Sequence, residues 1–131
     1  MRFQGRHLFL FTLTLSACDP LCDNTIISRQ TDPSGQRQAV VFVRACGATT
    51  RNSTQVAIVE RPDTTPVGIG NVLVLDDRVG VAERPGITRL KWRAVDTLEV
   101  SILSGRTVVS RFPSVQGIAV VFITHSDSTL R

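Results

Sequence analysis

Leu90-Lys91-Trp92-Arg93-Ala94-Val95-Asp96-Thr97-Leu98-Glu99-Val100-Ser101-Ile102 is the stretch that decides the fold. Leu90, Trp92 and Ala94 alternate with Lys91 and Arg93; beyond Asp96-Thr97, Leu98, Val100 and Ile102 alternate with Glu99 and Ser101. Successive side chains on a strand point to opposite faces, so each half carries one apolar and one polar face. Two such halves joined by a short polar turn read as a β-hairpin.

The same grammar extends in both directions. Towards the C-terminus, Ser104-Gly105 leads into a strand over residues 107–112, Pro113-Ser114 predicts a turn, and residues 117–124 (GIAVVFIT) are a last apolar strand before a polar tail, 126–131. Towards the N-terminus, Arg84-Pro85-Gly86 breaks the chain, residues 79–82 suit a short edge strand, and residues 71–76 (NVLVLD) form a β-branched run ending at Asp76-Asp77. Residues 54–61 put Val56, Ile58 and Glu60 on one face and Ala57 and Val59 on the other; loops precede and follow them at 48–53 and 63–70. Residues 25–29 and 39–43 are two further strands, joined through Asp32-Pro33-Ser34-Gly35. Pro presets the second position of that turn and Gly supplies a permissive one. Strands spaced by about ten residues, with no amphipathic helix among them, predict an all-β fold. The expectation is a single antiparallel sandwich or barrel of seven to eight strands over residues 24–131, after a cleaved signal peptide.

Composition agrees with one domain. The chain has 131 residues, 42% hydrophobic and 20% charged, with ordinary glycine and proline, which excludes collagen-like, disordered and multi-pass membrane classes. Its start differs from the rest. Arg2, Arg6 and His7 precede an uncharged apolar run over residues 8–15 (LFLFTLTL), which Asp19-Pro20 closes soon afterwards. A spanning helix needs about 20 apolar residues; a basic start, a short apolar run and small residues before a cut are the parts of a secretory signal.

Leu15-Ser16-Ala17-Cys18 resembles a bacterial lipobox, whose pattern is Leu, a small residue, Gly or Ala, then Cys; all four positions match. The resemblance implies a diacylglyceryl thioether on Cys18, cleavage before it and acylation of the new N-terminus. That would make 1–17 a lipoprotein signal, 18–23 a lipidated tether and 24–131 the all-β domain. Two or more acyl chains hold a protein stably on a bilayer. In enterobacterial lipoproteins an Asp after the lipidated Cys is an inner-membrane retention signal, and Asp19 stands there. The competing reading is an ordinary secreted protein cut near Ala17, with Cys18 in a disulfide.

The chain has three cysteines, Cys18, Cys22 and Cys46. Lipidating Cys18 leaves an even pair in an oxidising compartment, so a Cys22–Cys46 disulfide is expected, worth roughly 3 kcal/mol on the chain-entropy model. Two free buried thiols are the alternative. Loss of Arg2 and Arg6 with the signal takes 15 basic residues to 13, against 11 acidic ones, a net of +2. Nucleic-acid stacking needs aromatics among the cations, and beyond the signal there are only Phe42, Trp92, Phe112 and Phe122; no nucleic-acid partner is expected.

Candidate chemistry is sparse. His125-Ser126-Asp127 has the residue types of a triad, but triad side chains converge from separate segments, whereas neighbours on a strand diverge. A Cys46–His125 thiol dyad competes with the disulfide. Asp76-Asp77 reads as a turn before a metal site, and no metal or cofactor is expected. The glycines of Thr64-Thr65-Pro66-Val67-Gly68-Ile69-Gly70 lack the Lys-Ser/Thr of a phosphate loop. Asn52-Ser53-Thr54 fits a glycosylation sequon that a bacterial signal makes irrelevant. Trp92 is expected to face the core, with surface binding the other option.

Arg44-Ala45-Cys46-Gly47-Ala48-Thr49-Thr50, between Asp32-Pro33-Ser34-Gly35 and Thr54-Gln55-Val56, resembles a family of small bacterial envelope proteins carrying a CGATT segment. Lys91-Trp92 with Asp96-Thr97-Leu98-Glu99-Val100 is similar to that family's W-x(3)-D-x-L-x-V hairpin, and Val115-Gln116-Gly117-Ile118 to its closing strand. The resemblance covers about the whole domain. It departs at Ala45, where the family often has an acid, and at Asp32-Pro33-Ser34, where it has Ser-Pro-Asp. It implies no activity; it singles out Gly47, Ala48, Thr49 and Thr50 as a candidate loop. The structural alternative there is a tight turn whose Thr hydroxyls satisfy backbone groups beside the disulfide.

The function expected is a non-enzymatic, lipid-anchored envelope module, held to a membrane at Cys18 and contacting another envelope protein from the periplasmic side. A periplasmic inhibitor or small-ligand-binding lipoprotein is the alternative. An enzyme using Cys46 or His125 comes third.

Overall fold

The computed structural model describes residues 22–47, 49–62, 65–76 and 87–126. The expected signal, Cys18, Asp19, Ala48, Thr64, Asp77, the strand expected over 79–82, the break expected at 84–86 and Asp127 lie outside the described residues.

Nine strands form two sheets among the described residues. β1 (Asp23–Thr31), β2 (Arg37–Ala45), β3 (Ser53–Glu60), β4 (Leu73–Asp76) and β7 (Thr107–Arg111) make a five-stranded sheet in the order β1-β2-β3-β4-β7. β5 (Ile87–Ala94), β6 (Thr97–Leu103), β9 (Ile118–His125) and β8 (Ser114–Val115) make a four-stranded one, in the order β5-β6-β9-β8. The fold is all-β and sandwich-like, and among the described residues neither sheet closes into a barrel.

Alternation dictates the packing. Ala39 and Val41 of β2, Val56 and Ile58 of β3, and Leu73 and Leu75 of β4 are buried against Leu90 of β5, Leu98, Val100 and Ile102 of β6, and Ile118 and Val120 of β9. Trp92 packs against this core, and its indole N–H donates to the Gln30 carbonyl at 2.9 Å, joining β5 to β1 across the two sheets.

Two hairpins show their turn chemistry. Asp32-Pro33-Ser34-Gly35 closes with Gly35 N–H on the Asp32 carbonyl (3.0 Å) and Gly35 at φ +74°. Ser114 and Val115 pair with Ala119 and Ile118, so Gln116 (φ +51°) and Gly117 (φ +79°) form a two-residue loop with both residues left-handed, the geometry that matches strand twist. The turn expected at Pro113-Ser114 is instead a change of sheet. Phe112 N–H bonds the Val72 carbonyl on the five-stranded side, and the Pro113 carbonyl accepts from Val120 on the other. Because this returning segment passes from one sheet to the other, β9 re-enters beside β6 in the same direction, giving the parallel β6–β9 pair. The remaining pairings are antiparallel.

Candidate functional site

The end of the five-stranded sheet that carries the N-terminal connection is closed by a disulfide between Cys22 and Cys46, before β1 and after β2. Asp23 and Ala45 are cross-strand partners, so the register itself brings the two flanking cysteines together. Beyond Cys46, Gly47 takes φ +99°, and Thr50 returns both its backbone N–H (3.3 Å) and its hydroxyl (3.1 Å) to the Gly47 carbonyl. Gly47, Thr49 and Thr50 are exposed. The loop therefore contains a turn capped by a threonine hydroxyl, next to the disulfide.

Two residues into β1 and two before Cys46, Asn24 and Arg44 are paired across the strands. The Asn24 amide donates to the carbonyls of Pro66 (2.9 Å) and Gly68 (3.1 Å), while Arg44 Nη1 donates to the Gly68 carbonyl (2.9 Å) and to Asn24 Oδ1 (3.0 Å). The backbone N–H of Gly70 donates to Gln55 Oε1 at 2.6 Å, and Gln55 Nε2 in turn reaches Ser53 Oγ at 2.7 Å. Asn71 then spends its side-chain amide on Ile58, accepting from its N–H (2.9 Å) and donating to its carbonyl (3.1 Å), as a strand neighbour would.

Residues 65–70 are thus a strap held on the outer face of the five-stranded sheet. That face has its own small apolar cluster, Val40, Phe42 and Ala57, with Ile26 and Val59 packed against it. Pro66 and Gly70 are buried. A Cβ on Gly70 would lie 2.6 Å from the Val56 carbonyl oxygen, so only glycine allows the strap this close. Outwards, the strap displays Val67, 97% exposed, and Ile69, 70% exposed.

Among the described residues no free Cys46 thiol is available to pair with His125, because Cys46 is held in the disulfide. His125 Nε2 is 3.3 Å from Ser101 Oγ, a pair that the parallel β6–β9 register places on one face and that the sequence reading did not single out. Ser101 is 3% exposed, so its hydroxyl is not presented to a substrate. On the same strand Glu99 is buried and accepts from Arg93 Nε at 2.6 Å, with Arg93 Nη2 on the same oxygen. Asp76 lies 3.8 Å from Arg51. Among the described residues no three His, Cys, Asp or Glu side chains converge as metal ligands. An open polar groove lined by Gly35, Arg37, Glu60 and Arg61 has its Arg61 guanidinium spent on the Gly35 carbonyl at 3.3 Å.

Asp32, the remaining buried acid of note, belongs to the β1–β2 turn. Burial alone would raise its carboxyl pKa, but the Ser34 hydroxyl (2.5 Å), the Arg37 backbone N–H (3.0 Å), the Gln36 backbone and the Arg37 charge together hold it below the ordinary carboxylate value. The sequence reading missed Asn24, Arg44, Gln55 and Asn71. A signal was present, since four amide or guanidinium side chains in or beside apolar strands need partners once the face is covered.

No protein-family model, curated protein or solved structure matches the chain.

Proposed function

We propose that the protein is a lipid-anchored, non-enzymatic interaction module of the bacterial cell envelope, tethered at Cys18 and facing the periplasm. One observation carries the reading: Cys22 and Cys46 are joined to each other, which leaves Cys18, the cysteine of a complete Leu15-Ser16-Ala17-Cys18 motif, as the odd one of three. An odd cysteine in an exported chain needs a fate, and thioether formation supplies one. The resemblance to the CGATT envelope proteins fits the same compartment, and Asp19 favours retention at the inner membrane.

The non-enzymatic part of the reading is supported by the same geometry. The disulfide removes the Cys46 thiolate, and the hydroxyl beside His125 is buried. Partners would be the bilayer through the lipid and a second envelope protein through the exposed loops.

The test is an intact mass of the full chain extracted from bacterial membranes, before and after reduction. A chain starting at Cys18, heavier by a diacylglyceryl group and a fatty acyl group and gaining two hydrogens on reduction, is the expected result. An unlipidated chain with Cys18 in a disulfide overturns the reading.

A further inference from the structure

We infer that the strap residues Val67 and Ile69 form a membrane-contact tip that inserts into the bilayer interface beside the lipid anchor. The inference rests on the anchored reading above and adds an orientation to it: the strap side of the disulfide end is turned to the lipid.

The strap is held at several points. Loops are ordinarily polar and mobile, yet here an exposed Val and an exposed Ile flank a glycine whose carbonyl is held by two side chains, Asn24 and Arg44. Gly70 N–H on Gln55 and Asn71 on Ile58 fix the strap's return. Two apolar side chains are therefore presented in a fixed arrangement, with the entropic cost of ordering them met within the fold.

The occupant follows from where the clamp sits. Asn24, which grips both Pro66 and Gly68, is two residues from Cys22. The clamp therefore lies about 7 Å along β1 from the disulfide. From Cys18 to Cys22 is four residues, a reach of roughly 14 Å at full extension. A diacylated Cys18 sits in the bilayer interface, so this end of the sandwich is held within a short tether of the headgroups. Apolar side chains at that distance are covered at little entropic cost by sinking into the headgroup–acyl boundary. The clamp's own donors need no partner from the lipid, because they already face carbonyls of the strap.

The test uses the full lipidated chain, purified from membranes and placed in phosphatidylethanolamine–phosphatidylglycerol vesicles with or without brominated acyl chains. Ile69→Trp adds a fluorophore at the strap; Val109→Trp adds one on β7, the opposite edge of the same sheet, where Val109 is 64% exposed. Wild-type protein gives the Trp92 background. Interfacial segments sit about 5–10 Å into the boundary, so the emission added by Ile69→Trp is expected to fall by about half with brominated lipid, and that added by Val109→Trp to hold. Equal quenching of the two, or none, on a chain whose mass shows the lipid overturns the inference alone. A mass without lipid overturns the anchor and the inference together.

Discussion

The two faces of the five-stranded sheet are both covered, but by different means. On the inner face Ala39, Val41, Val56 and Ile58 meet the aliphatic side chains of a second sheet. On the outer face Val40, Phe42 and Ala57 are equally buried, and this is the face that carries a six-residue strap fastened by Asn24, Arg44, Gln55 and Asn71. A sheet needs only apolar pattern to close a core. A strap lays backbone over apolar side chains, and its carbonyls and amides must be satisfied one by one. The inner layer is therefore insensitive to any single polar residue, while the outer layer depends on several.

Large-to-small substitutions separate the two layers most strongly. Leu98→Ala, at a fully buried inner position, is expected to cost about 4 kcal/mol, and Phe42→Ala on the outer face about 3 kcal/mol, because a strap settles into a vacated space more readily than a sheet does. Urea denaturation of the full chain measures both. A Phe42→Ala cost below about 1 kcal/mol would show that the outer cluster is not a core in the energetic sense, and the comparison would collapse.

A smaller effect tests whether the strap depends on close approach. Gly70→Ala puts a methyl 2.6 Å from the Val56 carbonyl oxygen and 3.1 Å from Gln55 Cβ, so the strap must lift and the Gly70–Gln55 hydrogen bond must open. The expected cost is about 2 kcal/mol, within the range for overpacking, read as an earlier urea midpoint. Amide exchange at residue 70 and at Val72, whose N–H groups are held by Gln55 Oε1 and the Val56 carbonyl, should rise by more than at Val100 in the inner sheet. Equal protection of the strap in both proteins would mean that it is not held by that contact.

These layers differ in how far they could be read in advance. The inner face was legible because alternation at Leu90–Trp92 and Leu98–Ile102 maps directly onto one side of a sheet. The split of Val56 and Ile58 from Ala57 and Val59 also corresponds to the two clusters. The outer layer was legible only as a continuous apolar run at 39–43, which says that both faces are covered but not by what. Residues 63–70 read as a loop, since the contacts that make 65–70 a strap are 42 and 44 residues away at Asn24. The sheet change at Phe112-Pro113 was hidden for a similar reason: Pro signals a break in either case, and which sheet follows is decided by the partners Val72 and Val120. The Cys22–Cys46 disulfide was legible once the lipobox resemblance set Cys18 aside from the other two cysteines. The Ser101–His125 pair was not, because a parallel register has no local signature.

The smallest effect asks whether a buried polar cluster in the same sheet acts as the strap's clamp does. Asp32 is 4% exposed, and its carboxylate accepts from Ser34 and from the Arg37 backbone. Asp32→Asn keeps an oxygen for Arg37 but sets an amide against the Ser34 hydroxyl and removes the charge, a loss of about 1 kcal/mol at neutral pH for a charge-assisted hydrogen bond. Its sign with pH is fixed by linkage. The carboxyl is held below its ordinary value of 3.8 in the folded protein, so its contribution is fully present above that value and is lost as pH falls through the lower folded one. The wild type and Asp32→Asn should therefore differ at pH 7 and converge as pH falls through the lowered folded value, each followed by its urea midpoint. A gap that persists unchanged in acid would assign the stabilisation to the shape of the Asp32-Pro33-Ser34-Gly35 turn and not to the carboxylate's charge. The polar fastening at this end of the sheet would then differ in kind from the one at Asn24 and Arg44.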